Sequence, residues 1–301
     1  MKRYTLSLFI ALTATLSSWV NANATTLVGN IDVDALVSES GGAVVSIPID
    51  VPAGINGFQP ELALVYNSQG GLGTAGWGWN LSGVSPIRRT GSDLHHDNAV
   101  AGITFTNADN LTLDGQRLML NSGFSFSPGA VYHTEVESFN KITYRPTTGC
   151  DFQVQSKEGT ITSYGNGSNC QLAYGTDVLA WYPSVMTDNN GNSISYSYAV
   201  TTSPYAETLL SAVSYADGDV TIEFSYTTLS HPRTTYYPRS ASTNPFIAKD
   251  TKKLSTVEVK SHGQLLYSYV LSYDQSGTVP HLTSVKKQTP GGDDFNPTSI
   301  V

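Results

Sequence analysis

A chain of 301 residues with 24 Asp and Glu against 16 Lys and Arg carries a formal net charge of −8, and only 13% of its residues are charged. That balance excludes a surface built to neutralise phosphates, which needs clustered Lys and Arg, and it offers nothing to an anionic membrane. With 17 Tyr and 27 Gly, the composition favours pleated sheets and tight turns over helices.

In chain order, Lys2 and Arg3 precede an apolar run from Tyr4 to about Leu16, which gives way to Ala22-Asn23-Ala24. A basic start, an apolar run too short to span a bilayer and an A-x-A site predict a signal peptide cleaved after Ala24. Cleavage takes the formal net charge from −8 to −10. No later stretch is apolar enough for a transmembrane helix, so the expected product is secreted, with the periplasm or cell surface as alternatives, and has no integral membrane span.

The stretch Gly41–Arg89 organises the rest. Two runs, Val44–Val51 and Glu61–Tyr66, alternate apolar side chains as strands with one buried face do. Between them lie Pro52, Gly54, Gly57 and Pro60, a turn. Pro48, inside the first run, must sit at an edge because it has no N–H to give a ladder. After Tyr66-Asn67-Ser68 come glycines 70, 71, 73, 76 and 78, wrapped around Trp77 and Trp79. Nothing here pairs a nucleophile with a base.

This stretch resembles the opening of a toxin family. The residues carrying the resemblance are Ser46-Ile47-Pro48-Ile49, Pro52-x-Gly54, Gly57, Pro60, Leu62, Leu64, Tyr66-Asn67-Ser68, Gly76-x-Gly78-Trp79 and Ile87-Arg88. The family includes the Salmonella plasmid virulence protein B, the B components of insecticidal toxin complexes, and related Rhs/YD-repeat proteins. Weaker echoes follow at Asp114-Gly115-Gln116-Arg117-Leu118, at Thr134-Glu135 with Phe139 and Ile142, and at Asp188-x-x-Gly191-Asn192 with Tyr196 and Tyr198.

Residues 90 to 150 read as short strands, Gly102–Thr106, Asn110–Leu113, Arg117–Leu120 and Val131–Glu135, with Asp109-Asn110 and Asp114-Gly115 as turn dipeptides. Cys150 and Cys170 bracket a hairpin in which CDFQVQS and TITSYG flank Lys157-Glu158-Gly159. In an oxidising compartment that geometry favours a Cys150–Cys170 disulfide. From Leu179 onward polar glycine turns open alternating strands at Ser193–Tyr198, Val220–Tyr226 and Leu265–Tyr273, without a strict period. Tyr273-Asp274-x-x-Gly277 matches the YD-repeat unit. The proline-bearing segment 231–248 reads as a long loop.

Each candidate for chemistry has a plainer alternative. Glu135-x-Glu137 has the spacing of the paired glutamates of ADP-ribosyltransferases, but on one strand both would face solvent. His95-His96-Asp97, on an extended segment, would diverge rather than converge on a metal. Asp188-x-Asn190-x-Asn192 opens like a calcium loop, yet Gly191 is misplaced and the twelfth position is Ala199, which leaves a tight turn. The Gly70–Gly78 run has no Lys-Ser/Thr pair for a phosphate. We assign no catalytic residue, cofactor or metal.

The expectation is an all-β, hairpin-rich antiparallel fold with few or no helices after the signal peptide. It covers residues 25–301, divided if at all into about 25–180 and 181–301. The resemblance implies the start of a β shell that houses or delivers a C-terminal toxic domain, with other toxin-complex or Rhs components as partners. It also implies continuation into further β repeats, whereas this sequence stops within the pattern at Pro297–Val301. A truncated gene, a fragment and a stand-alone module all fit. From other classes, an extracellular module binding glycans or surface proteins through Tyr and Trp, and an ADP-ribosyltransferase, stay as alternatives. The first predicts Trp77, Trp79 and Trp181 in a groove rather than in the core.

Overall fold

The computed structural model describes residues 29–38, 40–146, 150–240, 242–291 and 295–300, and among them alternation becomes antiparallel pairing of neighbouring strands. The signal-peptide reading lies outside the described residues. A four-stranded sheet orders Asp34–Val37, Ala43–Ile49, Leu62–Asn67 and Trp79–Ser82. Its inner face, with Ile47, Ile49, Leu62, Leu64 and Trp79 buried, packs on a meander that contributes Ile194, Tyr215, Ile222, Val257, Tyr269 and Val285. Each fully buried aliphatic of this kind contributes about 1.5–3 kcal/mol by leaving water. This core joins residues on both sides of position 180.

The second sheet has seventeen strands, and part of it closes on itself. Pairing passes from Ile87–Thr90 through Asn110–Leu113, Gln116–Ser122, Val131–Thr134, Lys141–Tyr144 and Phe152–Gln155 to Ile161–Tyr164. Asp177–Trp181 then pairs back onto Ile87–Thr90, and its continuation Pro183–Thr187 pairs with Ile161–Tyr164. The result is a small barrel filled by Ile87, Leu111, Leu118, Tyr132, Ile142, Phe152 and Trp181. The Phe152 ring lies 5.1 Å from Trp181 and 4.9 Å from Tyr144, an aromatic interior of the sort that fills small barrels.

Local turn chemistry explains the hairpins. Asp114-Gly115 and His262-Gly263 are two-residue loops with both φ positive, the turn whose twist matches that of paired strands. Two expectations fail. Gly102–Thr106 is a loop, because the Asp109 carboxylate takes the Thr104 and Phe105 amides that a ladder would use. Asp109 is a buried anchor that also ends a turn, its amide donating to the Thr106 carbonyl at 3.3 Å, but Asp109-Asn110 closes no hairpin, since Asn110 already opens a strand.

The described residues of segment 231–248 are mostly strand, not loop. Val220–Arg239 and Ser242–Ser261, 20 residues each, form one long hairpin. Its prolines fall where the ladder is already broken: Pro232 between the paired positions Thr228 and Arg233, and Pro238 between Tyr237 and Arg239. There no N–H is missed. The outer half of the hairpin straps the barrel. Phe246 stacks on Phe105 at 4.8 Å and lies over Leu172 and Leu179, while Arg239 bonds Asp177.

The meander also hides a repeat. Strand pairing slips between Ser163 and Tyr164, Ser197 and Tyr198, Ser225 and Tyr226, and Ser272 and Tyr273. These tyrosines stand opposite Pro183, Leu210, Leu254 and Leu282, which open the sequences PSVM, LSAV, LSTV and LTSV. Slips of this kind orphan backbone groups, and side chains satisfy them. Ser184, Ser255 and Thr283 hydroxyls donate to the carbonyls of Ser163, Ser225 and Ser272. Tyr198, Tyr226 and Tyr273 hydroxyls donate to the carbonyls of Pro183, Leu210 and Leu254, on the strand before.

Candidate functional site

The Gly41–Arg89 stretch works as a keystone between the sheets. Pro48 pairs with Ala63, beyond the reach of the outer neighbour Asp34–Val37, which ends opposite Ser46. It therefore lies on an open edge, as its missing N–H requires. The turn after Ile49 is gripped from the meander. Tyr215 donates to the Pro52 carbonyl at 2.6 Å and Tyr267 to the Asp50 carbonyl at 3.0 Å. Lys287 Nζ reaches Asp50 Oδ2 at 2.6 Å while lying 4.2 Å over the Tyr267 ring and 4.8 Å over Phe295. Burial pushes the Tyr267 phenol up to about 12, so it stays a donor at any physiological pH.

Glycine at 54 is a steric necessity. A Cβ there would sit 2.0 Å from the Phe58 carbonyl oxygen. Gly57 closes the same turn, donating to the Gly54 carbonyl, and Pro60 is buried beyond it. At the second turn Asn67 and Gly78 bond through N–H to carbonyl at 2.9 Å. Gly78 has φ +77, and a Cβ would meet the Tyr66 ring at 2.5 Å. Tyr66 itself lies 5.4 Å from Trp79. The loop then docks on the meander: Trp77 N–H donates to Pro280, Leu254 N–H to Thr74, and Gly76 lies under the Pro280 carbonyl. Arg88 donates to the Tyr237 hydroxyl at 3.0 Å, joining barrel to hairpin.

Trp79 and Trp181 are 3% and 4% exposed, whereas Trp77 is 44% exposed. Two of the three indoles are core, then, and only Trp77 offers a face.

The acidic and histidine candidates are spent on structure. Leu94–Asp97 is a short α-helix rather than an extended segment, capped by Asp93, which accepts from His96 N–H. His96 Nδ1 lies 2.8 Å from Asp93 and Nε2 lies 2.8 Å from Glu135, while Arg117 grips Asp97 at 2.6 Å. His95 packs edge-on against the His96 ring. Val131–Thr134 ends before Glu135, so Glu135 and Glu137 share no strand face. Glu137 accepts from Phe139 N–H. Asp188 accepts from the N–H groups of Asn190 and Asn192, a tight turn.

Hydrogen bonds to Glu135 and Asp93 raise the His96 pKa. A raised folded value means that this contribution to stability is complete below the unfolded pKa, about 6.5, and fades as pH rises through the folded one. The difference in denaturant midpoint between wild type and His96→Gln should therefore be largest near pH 5 and shrink above neutrality. A gap constant with pH would show that the bridge carries no charge.

Cys150 and Cys170 are buried and not joined by a disulfide in the structure. They nevertheless precede a contact pair, since Gln171 Nε2 donates to Asp151 Oδ2 at 2.5 Å. Burial pushes the Cys170 thiol up, which makes it a slow nucleophile once folded. We propose that the bridge forms during oxidative folding. Protein refolded with oxidised glutathione should weigh two hydrogens less and yield a Cys150–Cys170 peptide under non-reducing conditions. Two alkylatable thiols after unfolding would rule the bridge out.

One group the sequence reading overlooked is Arg89. Its Nη1 binds Asp109 Oδ2 at 3.0 Å and the Thr106 carbonyl at 2.8 Å, its Nε the Val178 carbonyl, and its guanidinium lies 4.1 Å over Phe126. An arginine beside another arginine in a polar stretch carries no signal of burial. An open cleft of about 550 Å³ borders Pro48, Val51, Pro60, Leu62 and Ala63 on the keystone. Among the described residues no three His, Cys, Asp or Glu side chains gather to hold a metal, and no helix is long and apolar enough to cross a membrane.

A family model described as SpvB, Salmonella virulence plasmid 65kDa B protein, matches residues 37–293. No curated protein matches the chain. Among solved structures, TcdB2-TccC3 is similar over 91% of this chain and 17% of its own, at 18% identity and a TM-score of 0.71. The N-terminal domain of the effector SpvB from Salmonella typhimurium strain LT2 is similar over 84% of this chain and 99% of its own, at 18% identity and 0.65. The Photorhabdus luminescens Tc holotoxin pore is similar over 91% of this chain and 16% of its own, at 17% identity and 0.66. The chain thus spans about a sixth of the toxin-complex polypeptides and nearly the whole of the SpvB N-terminal domain. These likenesses show a shared fold.

Proposed function

Since the chain belongs to the Salmonella virulence plasmid 65kDa B protein family, we propose that it is a secreted, non-enzymatic scaffold of a toxin complex, a wall segment that helps enclose or deliver a toxic domain. The observation that carries this reading is the keystone. The family's motif residues are spent on architecture: Pro52 and Trp79 join the four-stranded sheet to the meander, Asn67 and Gly78 close a turn within that sheet, Arg88 ties the barrel to the long hairpin, and none of them gathers around a reacting centre. A wall needs rigid seams between sheets, and rigid seams are what these residues make. The likeness to TcdB2-TccC3 and to the Tc holotoxin supports other toxin-complex or Rhs components as partners.

The test is the size and composition of the species that carries this sequence in the supernatant and periplasm of its own host, after mild cross-linking. We expect peptides of this chain in a larger assembly, or in a larger polypeptide, together with toxin-complex sequences. A lone species with the mass of residues 25–301 that binds a glycan array would overturn the proposal in favour of a stand-alone binding module. The exposure of Trp77 is the observation that keeps that second reading in play.

A further inference from the structure

The barrel leaves one rung of its ladder unfilled. Asn110–Leu113 pairs with Gln116–Ser122 only as far as Leu111 opposite Leu118, although the second strand runs on to Ser122. Continued pairing would set Asp109 opposite Leu120. The Asp109 amide turns instead to the Thr106 carbonyl, and a cavity of about 190 Å³ opens where the rung is missing. Its apolar wall is Leu111, Leu118, Met119 and Leu120. Both charged groups that border it are already engaged, Arg117 by Asp93 and Asp97, and Asp109 by Arg89 and two backbone amides.

The polar groups left over are neutral. Tyr132 Oη accepts from the Phe126 amide at 2.9 Å and lies 3.3 Å from Ser125 Oγ. Whichever of these two hydroxyls donates to the other, one O–H hydrogen remains to donate, and both residues line the cavity. Asn110 Nδ2 donates to the Gly91 carbonyl and to Asp97, while its Oδ1 accepts nothing among the described residues. The Asn107 carboxamide, on the exposed rim, bonds no described residue either.

We infer that this cavity binds one ring of a neutral sugar. A phosphate, a sulfate or an acidic sugar meets no unpaired cation here, and a wholly apolar ligand would bury the spare hydroxyl and Asn110 Oδ1 unmet. A pyranose brings hydroxyls to those groups and a C–H face to the leucines and Met119. At about 30 Å³ per water the volume equals about six waters, enough for one ring and short of the roughly 300 Å³ at which drug-sized pockets begin. The inference goes beyond the scaffold reading: an assembled wall segment can carry this pocket, and failure of the pocket leaves that reading untouched.

The test is saturation-transfer NMR on the full chain with the methyl glycosides of glucose, galactose, mannose and N-acetylglucosamine, and with N-acetylneuraminic acid as the acidic control. At least one neutral glycoside should receive saturation, with a dissociation constant on the order of 1 mM for a single ring, and the acid none. Ala108→Tyr, which fills the cavity from its exposed rim, should abolish the signal at an unchanged denaturant midpoint. Asn107→Ala should weaken binding by about fivefold, the factor one net neutral hydrogen bond gives. Trp77→Ala should leave binding as it is, which separates this pocket from a platform on that indole. Silence from every neutral glycoside would make the cavity a water-filled gap. Binding that survives Ala108→Tyr, or that is lost in Trp77→Ala, would place the sugar elsewhere. Each of these results overturns the inference, as would equal binding of the acid.

Discussion

Asp109→Ala should destabilise the protein by about 3–5 kcal/mol, the usual cost of stripping one partner from a buried ion pair. The Asp109 side chain is 2% exposed and that of Arg89 is 10% exposed. Besides Arg89, this carboxylate accepts from the Thr104 amide and hydroxyl and from the Phe105 amide. Its removal strands two backbone donors and leaves a guanidinium whose remaining partners are two carbonyls and the faces of Phe126 and Trp181. Asp109→Asn keeps an acceptor for the amides and loses the charge, so it should cost less. Denaturant midpoints give the order, and Trp181 fluorescence gives the place, because the guanidinium centre lies 5.5 Å from that ring. A loss below about 1 kcal/mol for Asp109→Ala, typical of exposed pairs, would mean that water reaches the pair in solution.

What could be read from the sequence follows the range of the interactions. Strand positions and hairpin turns were legible, because alternation and a dipeptide such as Asp114-Gly115 act over a few residues. The hairpin bracketed by the cysteines forms where expected, with Phe152 opposite Tyr164. The Arg89–Asp109 pair was not legible: its members lie 20 residues apart, and a charge in a polar stretch reads as solvated. The long hairpin was hidden because prolines argue against strands, and only the structure shows that the ladder is already broken at Pro232 and Pro238. The repeat left a trace in the recurring Ser-Tyr and in LSAV, LSTV and LTSV. That trace was masked by the strap, which stretches the spacing between Tyr226 and Tyr273 well beyond that between Tyr198 and Tyr226. The closure of the barrel needed Asp177–Thr187 to serve two neighbours in succession, something no local pattern encodes.

Two tryptophans separated by one glycine should respond in opposite ways. Trp79→Ala should cost about 3–5 kcal/mol, the range for truncating a large buried aromatic. The indole is 3% exposed, lies against Tyr66, and belongs to the core shared by the four-stranded sheet and the meander. The cavity would open at the seam between those sheets. The Gly70–Gly78 loop keeps its backbone tether, since the carbonyl at position 79, which Ala retains, accepts from the Ala75 amide. Trp77→Ala keeps the N–H that donates to Pro280 and trims a ring already 44% exposed, so its effect should stay within about 0.5 kcal/mol, as at ordinary surface positions. Thermal or denaturant unfolding of both variants measures the contrast. The pair also separates the two functional readings. A keystone loses stability at Trp79 and nothing at Trp77. A glycan platform loses binding at Trp77 with stability intact. If Trp79→Ala instead stays folded at the wild-type midpoint, the seam is not where the sheets are held together, and the structural argument for a scaffold falls with it.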